Sequence, residues 1–188
     1  MEYQQYKTTA LKHLQTCEYM IANLSLERLN KLKVLRNAYY LCGYTFEGLI
    51  NFWIFKLLHN EGLIHNTDIS LIRYPIELPN RKNLKWEKGN IAYDYWISQH
   101  KFQRNIEIFE CINVGDLFAN VPIIGDENLV SQRTLDIFRS WNVEIRYKNH
   151  PFPHLYPERG NELVFENDVK KFVITAREVW DELETITI

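Results

Sequence analysis

Apolar and polar positions divide the chain into long helical stretches separated by polar, proline-bearing connections. Between Arg36 and Lys56 the single formal charge is Glu47, set among aromatic and aliphatic side chains. A run apolar nearly all round predicts a buried helix. At about 100° per residue, Arg36, Tyr40, Tyr44, Glu47 and Asn51 fall on one narrow stripe of it. Such a stripe must find partners, because an uncompensated carboxylate in an apolar core is costly. The spacing predicts this helix over residues 26–59, with Ser25 as its cap and Asn60 and Gly62 as its stop. Gly43 and Gly48 inside it each cost about 1 kcal/mol against alanine, which predicts close approach of a neighbouring helix.

The same periodicity predicts the other elements. Ala10, Leu14, Cys17, Ile21 and Leu24 make the seam of a first helix over residues 3–23. Asn90 caps a third over residues 91–112, with Tyr95, Phe102, Ile106 and Phe109 on its core face and His100 on a mixed second face. Asp126 caps a fourth over residues 126–141. Asn167 or Asp168 opens the last, whose stripe runs Val169, Phe172, Val173, Ala176, Val179, Trp180 and Leu183. Residues 63–90, with one extended piece near 71–74, and residues 113–125 read as connections broken by Pro75, Pro79 and Pro122. Residues 142–167 carry Pro151, Pro153 and Pro157, and loops of that length usually serve function. The expectation is an all-α single domain over residues 1–188: an antiparallel up-and-down bundle of four to five helices, with long loop insertions at about 63–90 and 113–125.

Composition narrows the classes. A chain of 188 residues that is 46% hydrophobic and 14% aromatic is a packed globule rather than a disordered one. Its net charge of −2 gives no global basic field, so nucleic acid would need a local patch. Cys17, Cys42 and Cys111 are odd in number and sit in helix-like segments, the pattern of free thiols in a reducing, cytoplasmic setting. The N-terminal stretch has no apolar signal core. As a membrane span, residues 36–56 would be interrupted by Asn37, Gly43, Glu47, Gly48 and Asn51, so no membrane helix is expected.

The densest cluster of chemical groups lies in residues 141–154. Arg146 and Lys148 suit phosphate, Tyr147 suits base stacking, and His150 and His154 titrate in the range of a general acid or base. Arg146 equally suits structural pairing with Glu47, for which Arg36 of a dimer mate is the alternative partner, and His100 suits a satisfied core role or a functional one. The prolines keep His150 and His154 off a shared helix face, and no cysteine or carboxylate stands beside them at ligand spacing. No metal or cofactor is therefore expected. Glycine-rich phosphate loops, nucleophile elbows and Cys–His signatures are absent from the sequence. Glu47 is the best single carboxylate; burial would raise its pKa and an arginine neighbour would lower it.

Residues 36–51, RNAYYLCGYTFEGLIN, resemble the second helix of HEPN domains, in which an aromatic pair precedes a small residue, a glutamate and an apolar run. Residues 141–147, WNVEIRY, followed by a loop and a final amphipathic helix, are similar to the closing part of that family. The resemblance covers about half of the chain. It implies an antiparallel helical bundle, commonly a homodimer, of the kind found in toxin–antitoxin, defence and nucleotide-binding proteins. Active members are metal-independent endoribonucleases with an arginine, a polar residue beside it, and a histidine separated from the arginine by four to six intervening residues. Here Arg146 and His150 enclose only Tyr147, Lys148 and Asn149, and Tyr147 holds the polar residue's place. Arg36-Asn37 has the opening dipeptide, but Leu41, Cys42 and Gly43 stand where the histidine should be.

The implied reading is a non-catalytic module that binds nucleotide, RNA or a nucleotidyltransferase-type partner protein. Arg146, Tyr147, Lys148, Glu47, Tyr40 and His100 are its binding candidates. One alternative is an endoribonuclease using Arg146 and His150; another is a structural or assembly protein.

Overall fold

The computed structural model of the chain describes residues 1–24, 27–78, 83–86, 95–97, 102–112, 116–141 and 162–187. Its centre is α2, Arg28–Asn60, whose 33 residues make a rod about 50 Å long. Leu35, Ala38, Tyr39, Cys42, Phe46, Ile54, Phe55 and Leu58 on it are wholly buried. The apolar run between Arg36 and Lys56 is thus the core of an all-α bundle. No helix among the described residues is long and apolar enough to cross a membrane.

Helix α1, Gln4–Ala22, lies antiparallel along α2. Tyr3 stacks on Phe55 at one end, and the Cys17 thiol donates to the Ala38 carbonyl at 3.3 Å nearer the other. Of the predicted seam, Ala10, Leu14 and Cys17 are fully buried, whereas Ile21 and Leu24 are only partly buried. The two internal glycines of α2 mark close approaches, as their cost predicts. A Cβ at Gly48 would stand 3.0 Å from both the Ala10 Cβ and the Tyr6 carbonyl oxygen, and one at Gly43 would overlap the Trp141 indole.

Helix α5, Glu162–Thr185, packs against both α1 and α2. It runs in the same direction as α2, pairing Lys31 with Glu166 and placing Phe172 on Tyr39 and Phe46. Against α1 it runs antiparallel, with Arg177 gripping the Glu18 carboxylate through two bonds of 2.7 Å. Its seven predicted stripe residues are all buried, although the helix opens five residues before Asn167.

The remaining elements depart further from expectation. The predicted third helix is split: residues 95–97 form strand β3, Tyr95–Ile97, and helix α3 occupies only Phe102–Ile112. Strand β3 pairs in parallel with β2, Asn83–Trp86, which pairs antiparallel with β1, Ile76–Glu77. Residues 63–90 are therefore not only a surface connection. Ile64, Ile76, Leu78 and Leu84 are buried there, and residues 69–71 form a 3-10 turn where extended chain was expected nearby. Residues 113–125 likewise drive Phe118 into the core, edge-on to Trp53 and Phe109.

Asp126 does cap a helical turn, but a 3-10 one at Glu127–Leu129, after which Val130 is extended. Ser131 then caps α4, Gln132–Ser140, by accepting from the Thr134 amide. The start of α2 shifts similarly, with Glu27 rather than Ser25 at its cap position.

Candidate functional site

The polar stripe of α2 faces α1, α3 and Trp141, and neighbours fix Tyr40, Tyr44 and Asn51 on it. The hydroxyls of Tyr40 and Tyr44, one turn apart, share a hydrogen bond of 2.9 Å. Trp141 donates its indole N–H to the Tyr40 carbonyl at 3.1 Å and meets the Tyr44 ring edge-on at 5.1 Å. At the far end of the stripe, Asn51 accepts a 2.8 Å hydrogen bond from Asn105 of α3, both side chains being buried.

Between these fixed points α1 and α2 enclose a half-open cavity of about 210 Å³. Tyr6, Thr9 and His13 line it from α1, and Tyr44, Glu47 and Asn51 from α2. The cavity exists because the helices touch at Gly48 and Ala10, and larger side chains flank that contact without closing over it. His13 tilts against Tyr44 at 5.7 Å between ring centroids, continuing the aromatic series from Trp141.

Its electrostatics follow from burial. Glu47 is only 4% exposed, and loss of hydration pushes its carboxyl from the ordinary 4.5 up to about 8. The half-buried His13 imidazole is pushed below its ordinary value by the same cause. Near pH 7 the cavity therefore presents a neutral carboxylic acid and a neutral imidazole between aromatic walls. Among the described residues no lysine or arginine side chain lines it. A planar, uncharged ring that can exchange hydrogen bonds suits it well.

Of the candidates read from the sequence, Glu47 lies in this cavity, and Tyr40 stands one turn away, holding Tyr44. Arg146, Tyr147, Lys148, His150 and His100 lie outside the described residues, and so does the anticipated pairing of Glu47 with Arg146. His13, Tyr6 and Thr9 escaped the sequence reading. Their three- and four-residue spacing beside the Ala10–Leu14 seam was the available signal. Among the described residues no group of histidine, cysteine and carboxylate side chains is arranged to hold a metal ion.

Comparison with protein-family models, curated proteins and solved structures finds no match to this chain.

Proposed function

We propose that this chain is a HEPN-like, non-catalytic helical module that binds a nucleotide or RNA, with the α1–α2 cavity as the pocket for a base. The observation that carries this reading is the convergence of Tyr44, His13 and Glu47 on one small cavity. Aromatic faces stack bases of any sequence, and a buried hydrogen-bonding acid adds discrimination. Cleavage of RNA would need a cation against the phosphate as charge builds on it, and among the described residues no lysine or arginine side chain lines the cavity. The short spacing from Arg146 to His150 supports binding over catalysis in the same way. Arg146, Tyr147 and Lys148 follow Trp141 in the chain and are assigned here to the sugar–phosphate portion.

The test is fluorescence anisotropy of a labelled single-stranded RNA with the purified chain in EDTA. The expected result is saturable binding without cleavage, weakened about tenfold or more by Tyr44→Ala. Cleavage that disappears in Arg146→Ala and His150→Ala would establish the endoribonuclease instead.

We also propose a role in assembly, for which the exposed apolar side chains supply candidate contacts. Tyr19 on α1, Leu29 on α2 and Ile174 on α5 are 70%, 67% and 57% exposed. A homodimer or a nucleotidyltransferase-type partner would cover such groups. Sedimentation of the wild type against Tyr19→Ser and Ile174→Ser tests self-association, which the substitutions should weaken.

A further inference from the structure

We propose that the ε-amine of Lys56 is a nucleophile, and that it is the position at which this chain is acylated by small acyl phosphates. Lys56 lies outside the lining of the α1–α2 cavity, so its chemistry is separate from base binding. On α2 the buried rings of Phe52 and Trp53 precede it. The partly buried lysine lies across both, its Nζ 4.3 Å from the centre of the Trp53 ring and 5.9 Å from that of Phe52. Lys7 of α1 reaches the same Phe52 ring, with its Nζ at 5.5 Å, and the Trp180 ring of α5 at 5.7 Å. Three helices thus bring two ammonium groups onto one aromatic surface.

The two ammonium groups differ in what holds them. Lys7 bonds the Glu184 carboxylate at 2.5 Å, whereas Lys56 makes no ion pair among the described residues. The charged groups that act on Lys56 are Lys7 from α1 and Glu184 from α5. Helix α3 meets this end of α2 through the neutral Asn105, and the turn at 116–118 meets it through Phe118 against Trp53. Burial among the rings, then repulsion by Lys7, pushes the Lys56 amine below its ordinary 10.5, with Glu184 opposing them. The ring faces attract the ammonium form, which moderates that change while fixing the side chain in place.

A lysine desolvated beside a second cation is the arrangement that activates an amine near neutral pH. An ordinary lysine is only about 0.1% neutral at pH 7.4, so a lowered pKa raises the reactive fraction in proportion. In the acyl transfer the Nζ lone pair attacks the carbonyl carbon and a C–N bond forms. The C–O bond to phosphate breaks, phosphate leaves with that electron pair, and the amine proton passes to water. The products are an amide on Lys56 and inorganic phosphate. Acyl phosphates are the fitting donor class because their leaving group is an anion, and two ammonium groups against one carboxylate attract it. Lys7 keeps N–H donors for that phosphate beyond the one given to Glu184.

The experiment treats the intact chain with acetyl phosphate at pH 7.5, to low extent, and reads each lysine by peptide mass spectrometry. The uncharged donor acetic anhydride is run in parallel across a range of pH. Lys56 should be acetylated at least about threefold faster than the median of the other lysines with either donor. Its rate should also rise through its midpoint at a lower pH than theirs. Lys7→Gln removes the repelling cation and should slow Lys56, whereas Glu184→Gln removes the opposing carboxylate and should speed it. Mere exposure of the side chain would not give these opposite signs, and the wild-type pH profile needs no variant to fold. Lys56 reacting at the median rate overturns the proposal, and so do variants that leave its rate unchanged or move it the same way. Preference for Lys56 with the anhydride but not with acetyl phosphate overturns the donor class.

Discussion

The indole N–H of Trp141 donates to the Tyr40 carbonyl at 3.1 Å while its ring covers the backbone of Gly43, leaving no space for a Cβ. Gly43→Ala should therefore destabilise the chain despite a gain of about 1 kcal/mol in helix propensity. Overpacking of a filled site costs about 1–3 kcal/mol or more, and Trp141 cannot move without breaking its bond to Tyr40. Gly48→Ala, facing contacts of 3.0 Å, should cost less. Thermal melts of both variants check the order, and a Gly43→Ala chain as stable as the wild type would refute this account of the junction.

Glu47 makes stability depend on pH. Its carboxyl ionises at about 8 in the fold against an ordinary 4.5, so between those values the folded chain keeps a proton that the unfolded chain has released. Each pH unit in that window removes about 1.4 kcal/mol of stability, and the loss levels off above about pH 8. Glu47→Gln should escape this loss and exceed the wild type at pH 8, by a margin on the order of 4 kcal/mol at most. Urea unfolding at pH 4.5, 6 and 8 reads the effect; two parallel curves would rule it out.

The buried Asn105–Asn51 bond ties α3 to α2 at 2.8 Å. Asn105→Ala takes the donor away from a buried acceptor and should cost about 1–3 kcal/mol. A double-mutant cycle with Asn51→Ala should return a coupling above about 0.5 kcal/mol, and strict additivity would mean that the two amides act independently.

The thiols should separate by reactivity. Cys17 and Cys42 are wholly buried, and burial pushes the Cys42 thiol well above its ordinary value, whereas Cys111 is only partly buried. Ellman's reagent should label Cys111 first in the native chain and reach the other two only on unfolding. Rapid native labelling of three thiols would contradict the packing of α1 on α2.

These expectations rest on features of unequal legibility. Helices α2 and α5 could be read directly, because their apolar periodicity runs for many turns and their stripes proved buried. Strand β3 could not. Three residues are too few to establish a period, and Tyr95 and Trp96 also fit the face of a helix. Asp126 carried a genuine capping signal, but the sequence does not distinguish a 3-10 turn from a full helix when Val130 and Ser131 follow. In the site, Glu47 stood out as the single charge in an apolar run. His13 did not, because which flank of α1 meets Glu47 is decided by the Ala10–Gly48 contact, a matter of tertiary register.

The cavity's lining from Tyr6 to Asn51 belongs to two helices adjacent in the chain, whereas α5 reaches α2 only across a separation of 130 residues, from Cys42 to Phe172. Loop closure over so long a span is entropically slower to arrange than the α1–α2 hairpin. We therefore expect the pocket to assemble early in folding, before α5 docks. Core truncations should report that order, with φ-values near one for Leu14→Ala and near zero for Phe172→Leu, and the reverse ranking would show that α5 docking comes first.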